Sequence, residues 1–391
     1  MKKYKFIICV FAVLAVFAVA GTGWFEAFAD RYIVGVFMPS YCYAKNVKSD
    51  DKDYVIGRLF GMELAEKDEK DEEKSIENLS VNYENYVAAE KKIYENQTVK
   101  QPVADKELIL GTQETQDEEY ISTDVVSGTI YSYNDLCNLE FLKSNFYTVT
   151  SVTSLNSQNF NPEEALKTDL SIEKKPLEPQ ILIFHSHSQE TFVDSVEGDY
   201  STYIVGVGDR LTQILTEKYG YNVIHDTTTY DILDGSLDRG KAYTYSNAAV
   251  ERYLKEYPSI QVVLDVHRDG VDESIHFVTE INGKPTAKIM FFNGISYTNL
   301  NGFISYLHNP YLAGNLAMSL QMQLLTKAYY PDFTRKVYIQ GYRYSQHHAD
   351  RSMLIEVGAQ TNTVEEAKNA MEPLADTLDK LLSGQKAYQL P

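Results

Sequence analysis

The segment ILIFHSHSQE, Ile181 to Glu190, decides how this chain is read. Four apolar residues run directly into two histidines, and a glutamate follows. A short apolar run bounded by polar residues is the pattern of a strand buried on both faces. The pattern recurs at Asn222–His225, Val262–Val266, Lys336–Ile339 and Met353–Val357. Helical stretches alternate with these runs. One spans Tyr203–Tyr219, with Leu211, Ile214 and Leu215 on one side and Gly220 as its stop. Others span Ala242–Glu256 and Pro310–Tyr329. Asn282-Gly283 within HFVTEINGKPTAKIMFF marks a hairpin with a type I′ turn. A last helix opens on a capping box, Thr363 as N-cap and Glu366 at N3. Val364, Ala367, Met371, Leu374 and Leu378 keep helical spacing along it, and Pro373 predicts a mild kink. Strands alternating with helices predict an α/β fold: a mostly parallel sheet with helices on both faces.

Upstream of this body, Leu139–Val149 reads as a short helix entering a strand, and Pro176 and Pro179 bracket a connector. Residues 48–120 change character, with acidic and basic residues alternating densely and acid in excess, as in AEKDEKDEEKSIENL. That composition predicts a solvated spacer. At the N-terminus Lys2, Lys3 and Lys5 precede an uncharged run from Phe6 to Phe25, long enough to cross a bilayer as a helix. The positive flank stays in the cytoplasm, so the remainder lies outside. A cleaved signal peptide ending at Ala27-Phe28-Ala29 is the alternative, and it exports the body equally. The expected organisation is an anchor over 1–29, an acidic spacer over 30–124 and a folded domain over 125–391.

The net charge of -19 argues against a nucleic-acid partner, because phosphate binding needs a basic face. The 30 tyrosines suit sugars, peptides or interfaces, and equally half-buried strand positions. Cys9, Cys42 and Cys137 make no disulfide framework. Neither G-x-S-x-G nor a P-loop occurs, so a serine hydrolase and a nucleotide site lack support.

In parallel sheets function gathers at the carboxyl ends of the strands. His185, His187 and Glu190 stand after the first run, DVHRD (Asp265–Asp269) after Val262–Leu264, and Glu356 at the end of Met353–Val357. Two histidines and a carboxylate, with one position open, make a catalytic zinc set. A further glutamate then handles protons. His187, Glu190, His267 and Glu356 supply these four parts at one sheet edge. Each also has a plainer reading. His187 can be a polar strand end, His267 can pair with Asp269, and Glu356 can pair with Arg268. His185 faces the same way as His187 along an extended chain and competes for its role. His347 and His348 fall in a Gly/Tyr-rich loop and read as solvated, and His225, His276 and His308 receive no role.

Together, ILIFHSHSQETF, YGYNVIHDTTTYD, DVHRDG and MLIEVGAQTNTVEEAKNAMEPLADTL resemble the stage II sporulation protein P family, from about Ser127 to the C-terminus. That family is similar to the zinc N-acetylmuramoyl-L-alanine amidases. The resemblance implies Zn2+ on His187, Glu190 and His267, with Glu356 as the catalytic base. Arg268 and Asp269 are expected to orient His267, and His185 to take a supporting place. Arg343, Tyr344 and Gln346, in the loop before the last strand, are expected to hold substrate. Ser186 stands where the amidases commonly have Thr, and Glu190 follows His187 more closely than the ligand Glu follows its His in them. The implied activity is cleavage of the muramyl–L-alanine amide of peptidoglycan, with crosslink endopeptidase activity beside it. The implied setting is septal wall degradation during engulfment, in the intermembrane space of a sporulating cell. The implied partners are the stage II sporulation proteins D and M and the membrane that holds the anchor. The rivals are a zinc peptidase without muramyl specificity and a non-catalytic wall-binding scaffold.

Overall fold

The computed structural model describes residues 123–233, 236–237 and 239–388, all within one compact unit, Glu69–Pro391. The expected anchor, and the spacer up to residue 122, lie outside the described residues. Among the described residues no helix is long and apolar enough to cross a membrane.

The helices α1 (Tyr133–Leu136) and α2 (Leu139–Phe146) lead into β1 (Tyr147–Val149), and α3 (Pro162–Lys167) follows. Then come β2 (Ile181–Phe184), α4 (Ile204–Glu217), β3 (Val223–His225), the short pair β4 (Ile232–Leu233) and β5 (Ser236–Leu237), α5 (Arg239–Glu256) and β6 (Val262–Asp269). A hairpin of β7 (Val278–Ile281) and β8 (Lys284–Ala287) precedes β9 (Ile289–Gly294) and a second short pair, β10 (Tyr297–Thr298) and β11 (Gly302–Phe303). The chain closes with α6 (Leu312–Tyr329), β12 (Val337–Gln340), β13 (Ser352–Ala359), α7 (Val364–Asn369) and α8 (Met371–Leu382).

Seven strands form one sheet in the order β1-β12-β9-β13-β6-β2-β3. Every pairing in it is parallel except β13 with β9. The sheet is therefore two parallel blocks running in opposite directions, so their carboxyl ends point to opposite edges. The residues expected in the site come from the block β13, β6, β2, with only the 343–346 loop arising from the other.

The registers sort the side chains into faces, because residues directly across a ladder point the same way. Phe184, Asp265, Leu354, Phe292 and Tyr338 form one row, and His267, Glu356 and Met290 the next. Helix α5 covers part of this face, with Val250 against Leu182, Phe184 and Val263. The opposite face carries Ile183, Leu264, Val266, Ile355 and Phe291, packed with α4, α6 and α8 in the main core. Both faces are thus covered, and the sequence shows near-continuous apolar runs as a result.

Local signals act as their chemistry requires. Asn282 and Gly283 both take positive φ, 50° and 77°, as a type I′ turn needs. Thr363 and Glu366 form the capping box at the start of α7. The single kinked helix expected at the C-terminus is instead two helices, separated at Ala370. Pro373 lacks an N–H, and its ring excludes the carbonyl four residues back, at Asn369, where α7 ends. It is accommodated in the first turn of α8.

At Gly208 helix α4 lies close against the histidines that follow β2 and end β3. A Cβ there would meet His185 Nε2 at 2.5 Å and His225 Nε2 at 2.6 Å. Both rings are fixed by hydrogen bonds and cannot yield. Gly208→Ala is expected to cost about 1–3 kcal/mol, measured by urea denaturation followed by circular dichroism. An unchanged midpoint would show that α4 is free to move away.

Candidate functional site

The loop after β2 is built by two buried aspartates. Asp265 in β6 accepts from the Ser186 backbone N–H at 2.9 Å and from its hydroxyl at 2.8 Å. Asp231 accepts from the Ser188 hydroxyl at 2.7 Å and from the Gln189 N–H at 3.1 Å. The chain is clamped on either side of His187. Sequence reasoning gave Asp231 no role; its only signal was an acid closing the polar run that follows the strand in YGYNVIHDTTTYD.

The clamp ends the extended geometry at Phe184, and residues 186–189 turn. The expectation that His185 and His187 face the same way fails for this reason. His185 lies on the α4 side, where its Nδ1–H donates to the Val266 carbonyl at 2.7 Å. Its Nε2 meets His225 Nε2 at 2.9 Å, and His225 Nδ1 faces Asp209 at 2.9 Å. Burial and the neighbouring His225 push His185 down to about 3. It is a neutral ring that braces β6 from behind, and it does not reach His187.

His187, Glu190 and His267 converge on the other face. One donor atom from each lies within 4.8 Å of the other two. His187 Nδ1 stands 3.5 Å from Glu190 Oε1, and His267 Nδ1 stands 3.4 Å from Glu190 Oε2. The two imidazoles are nearly perpendicular, at 87°, with centroids 5.0 Å apart. His267 Nε2–H donates to Asp265, 2.8 Å away, which leaves Nδ1 free to turn toward Glu190. A carboxylate behind a histidine in this way fixes the tautomer that a metal requires. His187 Nε2 is buried without a hydrogen-bond partner. Two imidazoles and a carboxylate, all buried and pointing inward, fit a Zn2+ ion in donor chemistry and in spread.

The charges are strongly coupled. Burial opposes ionisation of Glu190, but His267, hydrogen bonding from both histidines and Arg268 outweigh it and hold the carboxyl well below the usual range. Burial likewise opposes charge on His267, yet Asp265 and Glu190 raise it well above its ordinary value. Asp265 is held low against burial by His267 and Ser186.

Glu356 lies directly across the β13–β6 ladder from His267, on the same face. It is 2 % exposed, and its Oε2 has no hydrogen-bond partner. Burial, then Asp269 and Glu190, raise it well above the ordinary carboxyl value. Both histidine and glutamate sit within their strands, since β6 runs on to Asp269 and β13 to Ala359. The site therefore stands on the sheet face near its carboxyl end.

Other expected residues are placed differently. Arg268 donates its backbone N–H to Glu190 Oε2 at 2.9 Å, and its guanidinium goes to the carbonyls of Thr191 and Asp269. Asp269 pairs with Arg335 at 2.7 Å. Neither orients His267; Asp265 and Ser186 do. The same contacts exclude the pairs His267–Asp269 and Glu356–Arg268. Gln346 is committed to the Phe292 carbonyl and the Gly294 N–H, so it holds its loop rather than substrate. Arg343 reaches the His308 carbonyl at 3.4 Å. Tyr344 packs edge-on to Phe292, with ring centroids 4.6 Å apart, and lies 6.2 Å from Tyr243. Tyr243 in turn stands 5.1 Å from His187, so Tyr344 belongs to an aromatic wall behind the site. His347 and His348 are half-buried rather than solvated.

A cation at this site must displace the proton that Asp265 and Glu190 stabilise on His267. Below the raised pKa that proton is present, so affinity falls as pH falls and rises with pH until that pKa is passed. Zinc titrated into the metal-free full-length chain near pH 7 is expected to release about one proton. Calorimetry in buffers of different ionisation enthalpy reads this directly. Affinity independent of pH would remove His267 from the ligand set.

Stage II sporulation protein P of Bacillus subtilis (strain 168) is 23 % identical over 215 residues, covering 51 % of this chain and 50 % of the relative. The chain thus spans about half the length of that curated relative. Among solved structures, the catalytic domain of CwlV, an N-acetylmuramoyl-L-alanine amidase from Bacillus (Paenibacillus) polymyxa var. colistinus, aligns with TM-score 0.30 and 12 % identity. The alignment covers 53 % of this chain and 99 % of CwlV. The CwlD amidase from Clostridioides difficile, solved with the GerS lipoprotein, aligns with TM-score 0.33 and 13 % identity over 52 % of this chain and 98 % of that one. A family model for stage II sporulation protein P matches residues 50–379, reaching well upstream of Ser127, where the resemblance in sequence begins. That match covers most of the sequence, and the chain belongs to the stage II sporulation protein P family.

Proposed function

We propose that this chain is a zinc-dependent peptidoglycan hydrolase that cleaves the amide between the muramyl lactyl group and L-alanine. One observation carries the proposal: the donor atoms of His187, Glu190 and His267 meet within 4.8 Å, beside a buried glutamate with an unpartnered oxygen. Family membership supports the same reading. Zinc bound by His187, Glu190 and His267 supplies Lewis acidity and brings the pKa of water toward about 7.

The chain's own residues do the rest. Asp265 holds the His267 ring in one tautomer, and Asp231 holds the turn that presents His187. The Arg268 N–H holds Glu190. Without a cation, burial and its acidic neighbours keep Glu356 protonated. With a cation held by His187, Glu190 and His267 its carboxylate form is favoured, able to accept a proton from the attacking water and deliver it to the departing amide nitrogen. Tyr243, Phe292 and Tyr344, all buried, back the site and exclude water from one side. Crosslink endopeptidase activity fits the same centre, since both bonds are amides. The apolar run Phe6–Phe25 anchors the chain in the membrane, and the acidic spacer gives the domain the reach to work on the septal wall during engulfment. The stage II sporulation proteins D and M are the partners proposed for that setting.

Glu356→Gln tests the assignment on purified sacculi with the full-length chain. Bound zinc is expected to be unchanged and hydrolysis to fall by about 10²–10⁴-fold. Labelling the newly exposed amines identifies the bond: L-alanine N-termini on otherwise intact glycan support the amidase, and other amines alone mark a peptidase. Digestion by the Gln variant at the wild-type rate would remove Glu356 from the chemistry.

A further inference from the structure

The loop between β12 and β13 carries a second cluster of metal-binding chemistry, set against α5. His348 Nε2–H donates to Asn247 Oδ1 at 2.8 Å. Glu251 stands one helical turn beyond Asn247, on the same side of α5. One donor atom from each of Glu251, His347 and His348 lies within 4.8 Å of the other two. The two imidazoles are tilted by 37°, with centroids 4.0 Å apart.

The nitrogen bookkeeping is specific. His348 spends its N–H on Asn247, so its Nδ1 keeps the lone pair. A histidine whose second nitrogen donates to a fixed oxygen is oriented as metal-bound histidines are. His347 Nδ1 is buried and has no hydrogen-bond partner. A buried polar atom without a partner is costly, and His347 Nδ1 belongs to the same cluster as the free Nδ1 of His348. A cation with the Glu251 carboxylate satisfies all three.

We propose that Glu251, His347 and His348 form a second metal site, which takes a divalent transition ion of Zn2+ type through two imidazoles and one carboxylate. It is structural in effect. It ties the 341–350 loop to α5, and that loop holds Tyr344 and Ser345 at positive φ, 44° and 55°. Non-glycine residues keep that conformation only where their surroundings enforce it. Tyr344 packs toward Tyr243, eight residues before Glu251 on the same helix, and Tyr243 stands over His187. Metal at the second site therefore fixes the aromatic wall of the first.

The full-length chain, stripped of metal, is titrated with Zn2+ by calorimetry, and bound zinc is counted by elemental analysis after desalting. Two equivalents are expected. A His187→Ala/His267→Ala chain is expected to keep one. Adding Glu251→Gln and His347→Asn to it removes that one, with the circular dichroism spectrum unchanged. Glu251 is exposed, so Glu251→Gln alone carries little folding risk, and it is expected to weaken one of the two equivalents about tenfold or more. If the wild type binds one equivalent and the His187→Ala/His267→Ala chain binds none, the second site is overturned and the first stands. If a single equivalent survives those two changes and is lost with Glu251 and His347, the second site stands and the zinc reading of the first falls.

Discussion

The parallel pairing of β6 with β13 is the constraint on which the site depends. It sets Glu356 directly across from His267. A slip of one residue would turn Glu356 toward the face packed with α4 and α6, into the apolar core. The neighbours hold the register. Leu354 belongs to the aromatic cluster on one face, and Ile355 and Val357 to the core on the other. Beyond Glu356 the register shifts between β13 and β6, and Gly358 adopts φ +59°. A Cβ at Gly358 would meet Asn362 Oδ1 at 2.5 Å, and that oxygen accepts the Ala359 N–H. The bulge ends regular pairing one step after the glutamate, as bulges near sites do.

The same face gathers more negative charge than it neutralises. Glu190, Asp265, Asp269 and Glu356 are all buried. Arg335 answers Asp269, and protonated His267 is shared between Asp265 and Glu190. Glu356 is left to hold its own proton, which accounts for the direction of its shift. Buried acids without compensating cations cost several kcal/mol each, so such a face persists where something else repays the cost. A divalent ion between His187, Glu190 and His267 would free the His267 proton, satisfy Glu190 and lower Glu356 at once.

Much of this was legible in the sequence because the physics behind it is local. Strands covered on both faces leave apolar runs, Asn-Gly fixes its turn, and Thr363 with Glu366 caps its helix. Asp265 and His267, two apart on a strand, share a face. The misses arise where distant residues decide. Strand β9 looks like the far arm of the β7–β8 hairpin, but it enters the main sheet against β13 and β12, reversing the direction of half the sheet. The facing of His185 was misjudged because Asp231 and Asp265, 46 and 80 positions downstream in number, bend the chain after Phe184. Arg268 and Asp269 looked like partners of His267 by proximity, yet Thr191 and Arg335 claim them.

Helix α5 connects these observations mechanically. Tyr243, Asn247 and Glu251 are spaced four apart and so form one stripe along it. The first touches the His187 ring, the second holds His348, and the third belongs to the second cluster. Between Asn247 and Glu251, Val250 seats the helix on Leu182, Phe184 and Val263, from the two strands that deliver His187 and His267. A shift of the 341–350 loop acts on α5 through Asn247, and α5 acts on the site through Tyr243. The ring of His187 has no hydrogen bond from Nε2 to resist such a shift. Its orientation is left to packing against Tyr243 and to Glu190, which makes the wall, and whatever holds it, part of how the centre is preorganised.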